Sequence, residues 1–226
     1  MLHHKLISKS HTAILILFFV AALTYATQHA LASSNANDDT PAPSSQDIAS
    51  LESFGKPGEA IDLGLSVSWC EYNIGASDPS DPGLFFGYGD LDGTETSTSY
   101  ADYPSQDVVG TDRDPAYVYW GQGWRMPTKS EIQELCNRCD WKWTQQNGIE
   151  GYIVKGRGGS IFLPVTGQRS GSVVSFDKTR GYYWAGELTT KDRNYAAAIF
   201  FYKGNHMVKD YRKCYGFAIR PVKEDF

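Results

Sequence analysis

Several things are scarce in this 226-residue chain, and each scarcity removes a class of function. Histidine occurs five times, but His3, His4, His11 and His29 crowd the start and leave only His206 downstream. A His-rich metal site is therefore excluded there, and any His-based catalytic triad must use that one imidazole. Basic residues are in deficit: 21 Lys and Arg against 26 Asp and Glu give a net charge of -5. No basic excess is present to hold a phosphate backbone, so nucleic acid is not an expected partner. The longest apolar run, Ala13 to Leu23, is too short to span a bilayer well. There are only four cysteines, and none precedes Cys70, so no lipobox thiol is offered for acylation near the start.

What is present begins with an export signal. Lys5 and Lys9 precede the apolar run, and Ala30-Leu31-Ala32 supplies a small-x-small cleavage pattern. Residues 1–32 thus read as a signal peptide, with no membrane insertion expected once it is removed. Residues 33–58 are rich in Ser, Asn, Asp and Pro and read as a flexible spacer. From residue 59 to 226, short apolar stretches broken by Gly, Asp and Pro predict one domain.

Within that domain, Ile61 to Trp69 alternates apolar and polar residues, the pattern of a strand. Residues 76–115 read as a long irregular insertion, either functional or mobile. Thr128-Lys129-Ser130-Glu131 is a capping box. Ile132, Leu135, Cys136 and Cys139 follow at i, i+3, i+4 and i+7, which predicts a helix over about 128–139 with one buried face. Gly156-Arg157-Gly158-Gly159 separates two expected strands, with glycine supplying positive φ in the turn. Further strands are expected at 182–185, 196–202, 207–210 and 215–221. One helix among many short antiparallel strands and long irregular loops makes an α+β domain.

Four cysteines in an exported chain favour two disulfides. A Cys136–Cys139 bond within the helix is disfavoured by geometry. Cys70–Cys139 with Cys136–Cys214 is the favoured pairing, and Cys70–Cys136 with Cys139–Cys214 stays open. A redox Cys-x-x-Cys is the rival reading, but such pairs normally sit at a helix N-terminus, and these fall late in theirs. Asp90, Asp92 and Glu95 could offer hard oxygen ligands to calcium. They lack the full spacing of a calcium loop, and a solvated acidic turn is the favoured reading. Leu163-Pro164-Val165-Thr166-Gly167 spells a sortase signal but lies well inside the domain, without the apolar tail such a signal needs. The segment from Glu187 to Lys213 mixes rigid rings with versatile donors: Arg193, Asn194, Tyr195, Tyr202, Lys203, Asn205, His206, Lys209, Tyr211 and Arg212. Such a mixture suits an adaptable binding face.

Several segments together resemble the Fibrobacter succinogenes major paralogous domain of exported Bacteroidetes proteins. They are Ile61-Asp62-Leu63-Gly64-Leu65-Ser66-Val67-Ser68-Trp69 with Asn73-Ile74-Gly75; Trp120-Gly121-Gln122-Gly123-Trp124-Arg125-Met126-Pro127-Thr128; Ser160-Ile161-Phe162-Leu163-Pro164; Gly181-Tyr182-Tyr183-Trp184; and Gly216-Phe217-Ala218-Ile219-Arg220-Pro221. The likeness covers about residues 60–222. It implies a C-type-lectin-like fold, related to the branch that contains the formylglycine-generating enzyme. It also implies a secreted or surface recognition module without enzymatic activity or cofactor, whose ligand is a protein or a glycan. The sugar-binding tripeptides of calcium-dependent lectins are absent. Two alternatives stand beside this expectation: an oxidase-like redox enzyme using Cys136, Cys139 or Cys214, and a structural part of an extracellular appendage.

Overall fold

The computed structural model describes residues 54–121 and 123–224. The expected signal peptide and most of the spacer lie outside them. In chain order the elements are β1 (Ala60–Ile61), β2 (Ser68–Cys70), a 3-10 turn (Tyr100–Asp102), α1 (Pro115–Trp120), β3 (Trp124–Arg125), α2 (Lys129–Arg138), β4 (Asp140–Gln146), β5 (Ile149–Lys155), β6 (Ser160–Pro164), β7 (Gln168–Ser170), β8 (Val173–Ser175), β9 (Arg180–Leu188), β10 (Tyr195–Tyr202), β11 (Asn205–Arg212), β12 (Tyr215–Gly216) and β13 (Val222–Lys223). The molecule is mostly antiparallel β-sheet with few short helices. The sheets run β1-β2-β13-β3, β11-β10-β9, β12-β7-β8 and β4-β5-β6.

The sheet β11-β10-β9 is the wall on which the rest is built. Side chains on a strand alternate between faces, and β10 obeys this closely. Ala196, Ala198 and Phe200 enter one buried cluster, while Ala197, Ile199 and Phe201 enter another. β9 divides likewise: Tyr182, Trp184 and Leu188 go to the first cluster, Tyr183 and Ala185 to the second. Two cores therefore share one wall, and the nearly unbroken apolar run of β10 is a strand buried on both faces.

The second core is roofed by regular elements. Ile132 and Leu135 of α2 pack there with Tyr152, Val154, Ile161 and Leu163 of the β4-β5-β6 sheet. α2 begins as its sequence predicts. The Thr128 hydroxyl accepts from the Glu131 N–H at 3.2 Å, and the Glu131 carboxylate accepts from the Thr128 N–H at 2.7 Å. The helix gives way at Cys139, and the chain turns directly into β4. β4 and β5 are joined by Asn147-Gly148, both at positive φ (49° and 84°), the two-residue hairpin loop whose twist suits flanking strands.

The first core is roofed by loops. Phe86, Tyr88, Val108, Ala116 and Trp120 pack on the wall from the long insertion and α1. The insertion is indeed irregular, but it is a fitted half of a core. Phe54 joins it, stacked on Tyr119 at 4.0 Å between ring centres, so the core reaches back into the expected spacer.

Four expectations need correction. Ile61 to Trp69 is not one strand. It folds back on itself, pairing Ala60 with Cys70 and Ile61 with Trp69, because the Asp62 carboxylate accepts from the Gly64 N–H at 2.6 Å and closes a turn. The expected strand over 215–221 is only two residues long; Phe217 and Ala218 make isolated bridges to Phe86 and Tyr183 instead. Between β5 and β6, none of Gly156, Gly158 and Gly159 takes positive φ. Their role is close approach. A Cβ on Gly156 would lie 2.0 Å from the Leu63 carbonyl oxygen, and one on Gly158 would lie 2.7 Å from that of Asp62. The hairpin loop is pressed against the β1–β2 turn, with Arg157 N–H donating to the Leu63 carbonyl at 2.9 Å.

The fourth correction concerns the disulfides. All four cysteines are free thiols. Cys70 belongs to the first core, whereas Cys136 and Cys139 pack against the second, so either cross-link from Cys70 to α2 would have to bridge the two.

Candidate functional site

Buried polar residues set the loop side. Arg220 is 1% exposed, and among the described residues it forms no ion pair with a carboxylate. Its guanidinium donates to Asn73 Oδ1 at 2.7 Å and to the carbonyls of Cys70, Glu71 and Phe162 at 3.1, 2.8 and 2.9 Å. It ties the strand β2, the following loop and β6 to the C-terminal segment. Burial lowers its basicity. Asp114 is wholly buried and accepts four backbone N–H groups, those of Gly110, Ala116, Tyr117 and Met126, at 2.8 to 3.2 Å. It caps α1 and holds the approach to β3. Burial outweighs these bonds and pushes its carboxyl up to about 6.

The acidic turn is a second such device. Asp90 Oδ1 accepts from the N–H groups of Asp92 and Gly93, both at 3.1 Å, and Arg169 stands 3.8 Å from its other oxygen. Burial pushes this carboxyl up to about 6 as well. Asp92 turns to Thr94 and Glu95 to Ser97. Among the described residues no group of three or more His, Cys, Asp or Glu side chains is placed to hold a metal ion. Of the calcium candidates, Asp90 and Asp92 meet side chain to side chain, while Glu95 accepts from Ser97, so the three do not form a ligand set.

The thiols are poorly suited to redox work. Burial pushes Cys136 up to about 12, with Cys139 beside it adding to the shift, and burial likewise raises Cys70, Cys139 and Cys214. A nucleophilic thiol needs the opposite shift. His206 does not activate Cys136. Its Nε2 lies 3.2 Å from the Cys136 carbonyl oxygen, and its ring stacks on Trp141 at 4.3 Å with 6° between planes.

The remaining residues of the Glu187–Lys213 segment divide in two. Glu187 accepts from the Lys129 N–H at the start of α2, where the helix dipole favours an anion. Arg193 donates to the Ser105 carbonyl at 3.0 Å and approaches Asp107 at 3.9 Å, pinning the insertion. Lys213 is buried, its ammonium given to the carbonyls of Tyr103 and Pro104. These three hold loops and helix in place. Tyr195, Tyr202, Lys203, Tyr211 and Arg212 instead line one open groove, with Asn205 beside it, 3.4 Å from the Tyr202 hydroxyl.

The groove is two adjoining recesses of about 430 and 620 Å³ that share Arg180 and Phe200. It lies where the wall emerges from the first core, between β9–β11 and the β7–β8 hairpin. Its floor is aromatic: Tyr182 and Phe200 at 5.1 Å, Tyr211 edge-on to Tyr182 at 5.5 Å. Its cations sit over rings. Arg180 lies 4.0 Å above the Phe176 ring and Lys209 5.2 Å above that of Phe200. Lys209 belongs to the expected segment, but Arg180 and Phe176 were not among the residues expected from sequence. The β7–β8 hairpin carries no strong strand pattern, and only the fold brings it against β9 and β10.

No family model, curated protein or solved structure matches the chain. No described helix is long and apolar enough to cross a membrane.

Proposed function

We propose that this chain is an exported, non-enzymatic recognition domain that holds its ligand by contact alone. The reading takes it as a member of the Fibrobacter succinogenes major paralogous domain family with a C-type-lectin-like fold, secreted or displayed at the cell surface. The burial of Trp69, Trp120, Trp124 and Trp184, all within the motifs that carry the resemblance, supports that assignment.

One observation carries the functional reading. Arg180, Lys203, Lys209 and Arg212 share a groove with exposed rings, and among the described residues none of the four forms an ion pair. Asp210 is the single carboxylate lining the groove, and it pairs with Lys129 at 3.3 Å. Surface cations left unpaired beside aromatic faces are groups that a ligand can use. The raised thiols weigh against the redox alternative, because at neutral pH they stay protonated.

The test is a binding screen of the full-length protein against purified glycans and purified surface proteins, repeated with Tyr202→Ala and Arg212→Ala. The expected result is a ligand lost or weakened in both variants. If every ligand binds both variants as it binds the parent, the groove is not the site.

A further inference from the structure

The groove's lining also narrows the chemistry of what fills it, and this step rests on the reading just given. We propose that the groove binds an anionic oligosaccharide, its carboxylate or sulfate groups met by Arg180, Lys203 and Lys209 and its sugar faces packed against the exposed rings of Phe176 and Tyr202.

Three observations lead there. First, the groove is open along its length and has no deep apolar recess to take an anchoring side chain, which is what tight peptide recognition usually needs. Its exposed rings, Phe176 and Tyr202, suit an extended ligand lying along the opening. Second, the cations are few and local on a chain of net charge -5. That suits a short chain bearing few charges more than nucleic acid, whose long run of phosphates meets the repulsion of the whole surface.

Third, Phe176 is held in a conformation that costs energy. Its φ is +61°, in the left-handed region that bulky residues avoid. Its ring is nonetheless 43% exposed and lies under Arg180. The carbonyl of Phe176 accepts from Thr179 and Arg180, both at 3.0 Å, closing the turn that follows it. Glycine would adopt that φ without strain. A strained, exposed phenylalanine in its place contributes nothing evident to the fold, and its ring instead fixes Arg180 at the groove's edge.

That strain makes a clean test. Phe176→Gly removes the ring while relaxing the backbone, so thermal stability should hold or rise slightly as binding falls. We expect the full-length protein to bind a galacturonic acid hexamer or a chondroitin sulfate hexamer by calorimetry, and added salt should weaken that binding. Phe176→Gly and Arg180→Ala should each lower affinity at least tenfold with melting temperature kept. Maltohexaose, a neutral chain of equal length, should not compete.

Failure of both anionic hexamers to bind would overturn the proposal, as would parent-like binding by both variants. Equal binding of a hexaglutamate peptide or of single-stranded oligothymidine would also overturn it, since charge alone would then suffice. Equal binding of maltohexaose would overturn the anionic ligand while leaving a recognition groove in place. If none of these probes binds but Tyr202→Ala and Arg212→Ala abolish another ligand found in the wider screen, this inference fails and the broader reading stands.

Discussion

The two faces of the β9–β10–β11 wall are covered by different means. On one, α2 and the β4–β5–β6 sheet meet the wall with apolar side chains at regular spacing. On the other, an irregular insertion is fastened by buried polar groups: Asp114 on four amides, Asp90 within its turn, Lys213 on two carbonyls. Arg220 is fastened in the same way at the chain's far end. A loop has no ladder to satisfy its backbone, so a side chain must do so wherever the loop is buried. The lesson is one of fragility: removing one acceptor on the loop side orphans several donors at once, whereas removing one apolar side chain opposite leaves a cavity.

The sharpest way to break this comparison is a pair of truncations. Asp114→Ala should cost about 4 kcal/mol or more, because several buried amides lose their acceptor. Leu135→Ala should cost about 3 kcal/mol. Urea denaturation measures both, and a larger loss for Leu135→Ala would mean that the loop side does not depend on its polar clasp.

The faces should also answer pH differently. Asp90 and Asp114 have folded values of about 6, above the 3.8 of an ordinary Asp carboxyl. Their protonated forms favour the fold, so their contribution is fully present below about pH 4 and is lost as pH rises through about 6. Glu131, on the helical side, is different. Burial opposes its ionisation, but Arg125 at 2.7 Å and the Thr128 groups outweigh it and hold the carboxyl below its usual range. It stays ionised over the same window. Amides of residues 87–93 and 110–126 should therefore exchange more slowly at pH 5 than at pH 7, after correction for intrinsic rates, while those of α2 and β5 change little. Equal behaviour of the two sets would remove the distinction.

The smallest expected effect is Thr128→Ala, which removes one half of the capping box and should cost about 1 kcal/mol. A thermal melt reads it. A loss as large as that of Asp114→Ala would place a polar clasp of equal weight on the regular side.

Legibility from sequence followed the same division. α2 could be read because its cap and apolar spacing are local signals, and β10 because its run of apolar residues is continuous. β4 was missed, though Asn147-Gly148 is a hairpin signal that locates it. The fold-back at Asp62 was missed because an alternating pattern does not say where a side chain will close a turn. The glycines at 156, 158 and 159 do answer to a local need, but what crowds them is a segment almost a hundred residues away. The groove was half legible. Tyr195, Tyr202, Lys203, Lys209, Tyr211 and Arg212 lie on two neighbouring strands and the turn between them, and the long segment that holds them is conspicuous. Phe176 and Arg180 join them only through the fold, and His206, a polar residue in the same stretch, stacks on Trp141 away from the groove.

The strands β2 and β13 lie side by side, with Val222 opposite Trp69, so the first and last parts of the domain meet in one sheet. A domain whose entrance and exit adjoin can be hung from a host polypeptide like a bead on a short loop. Grafting residues 54–224 into an exposed turn of an unrelated carrier would then display the groove without pulling its scaffold apart.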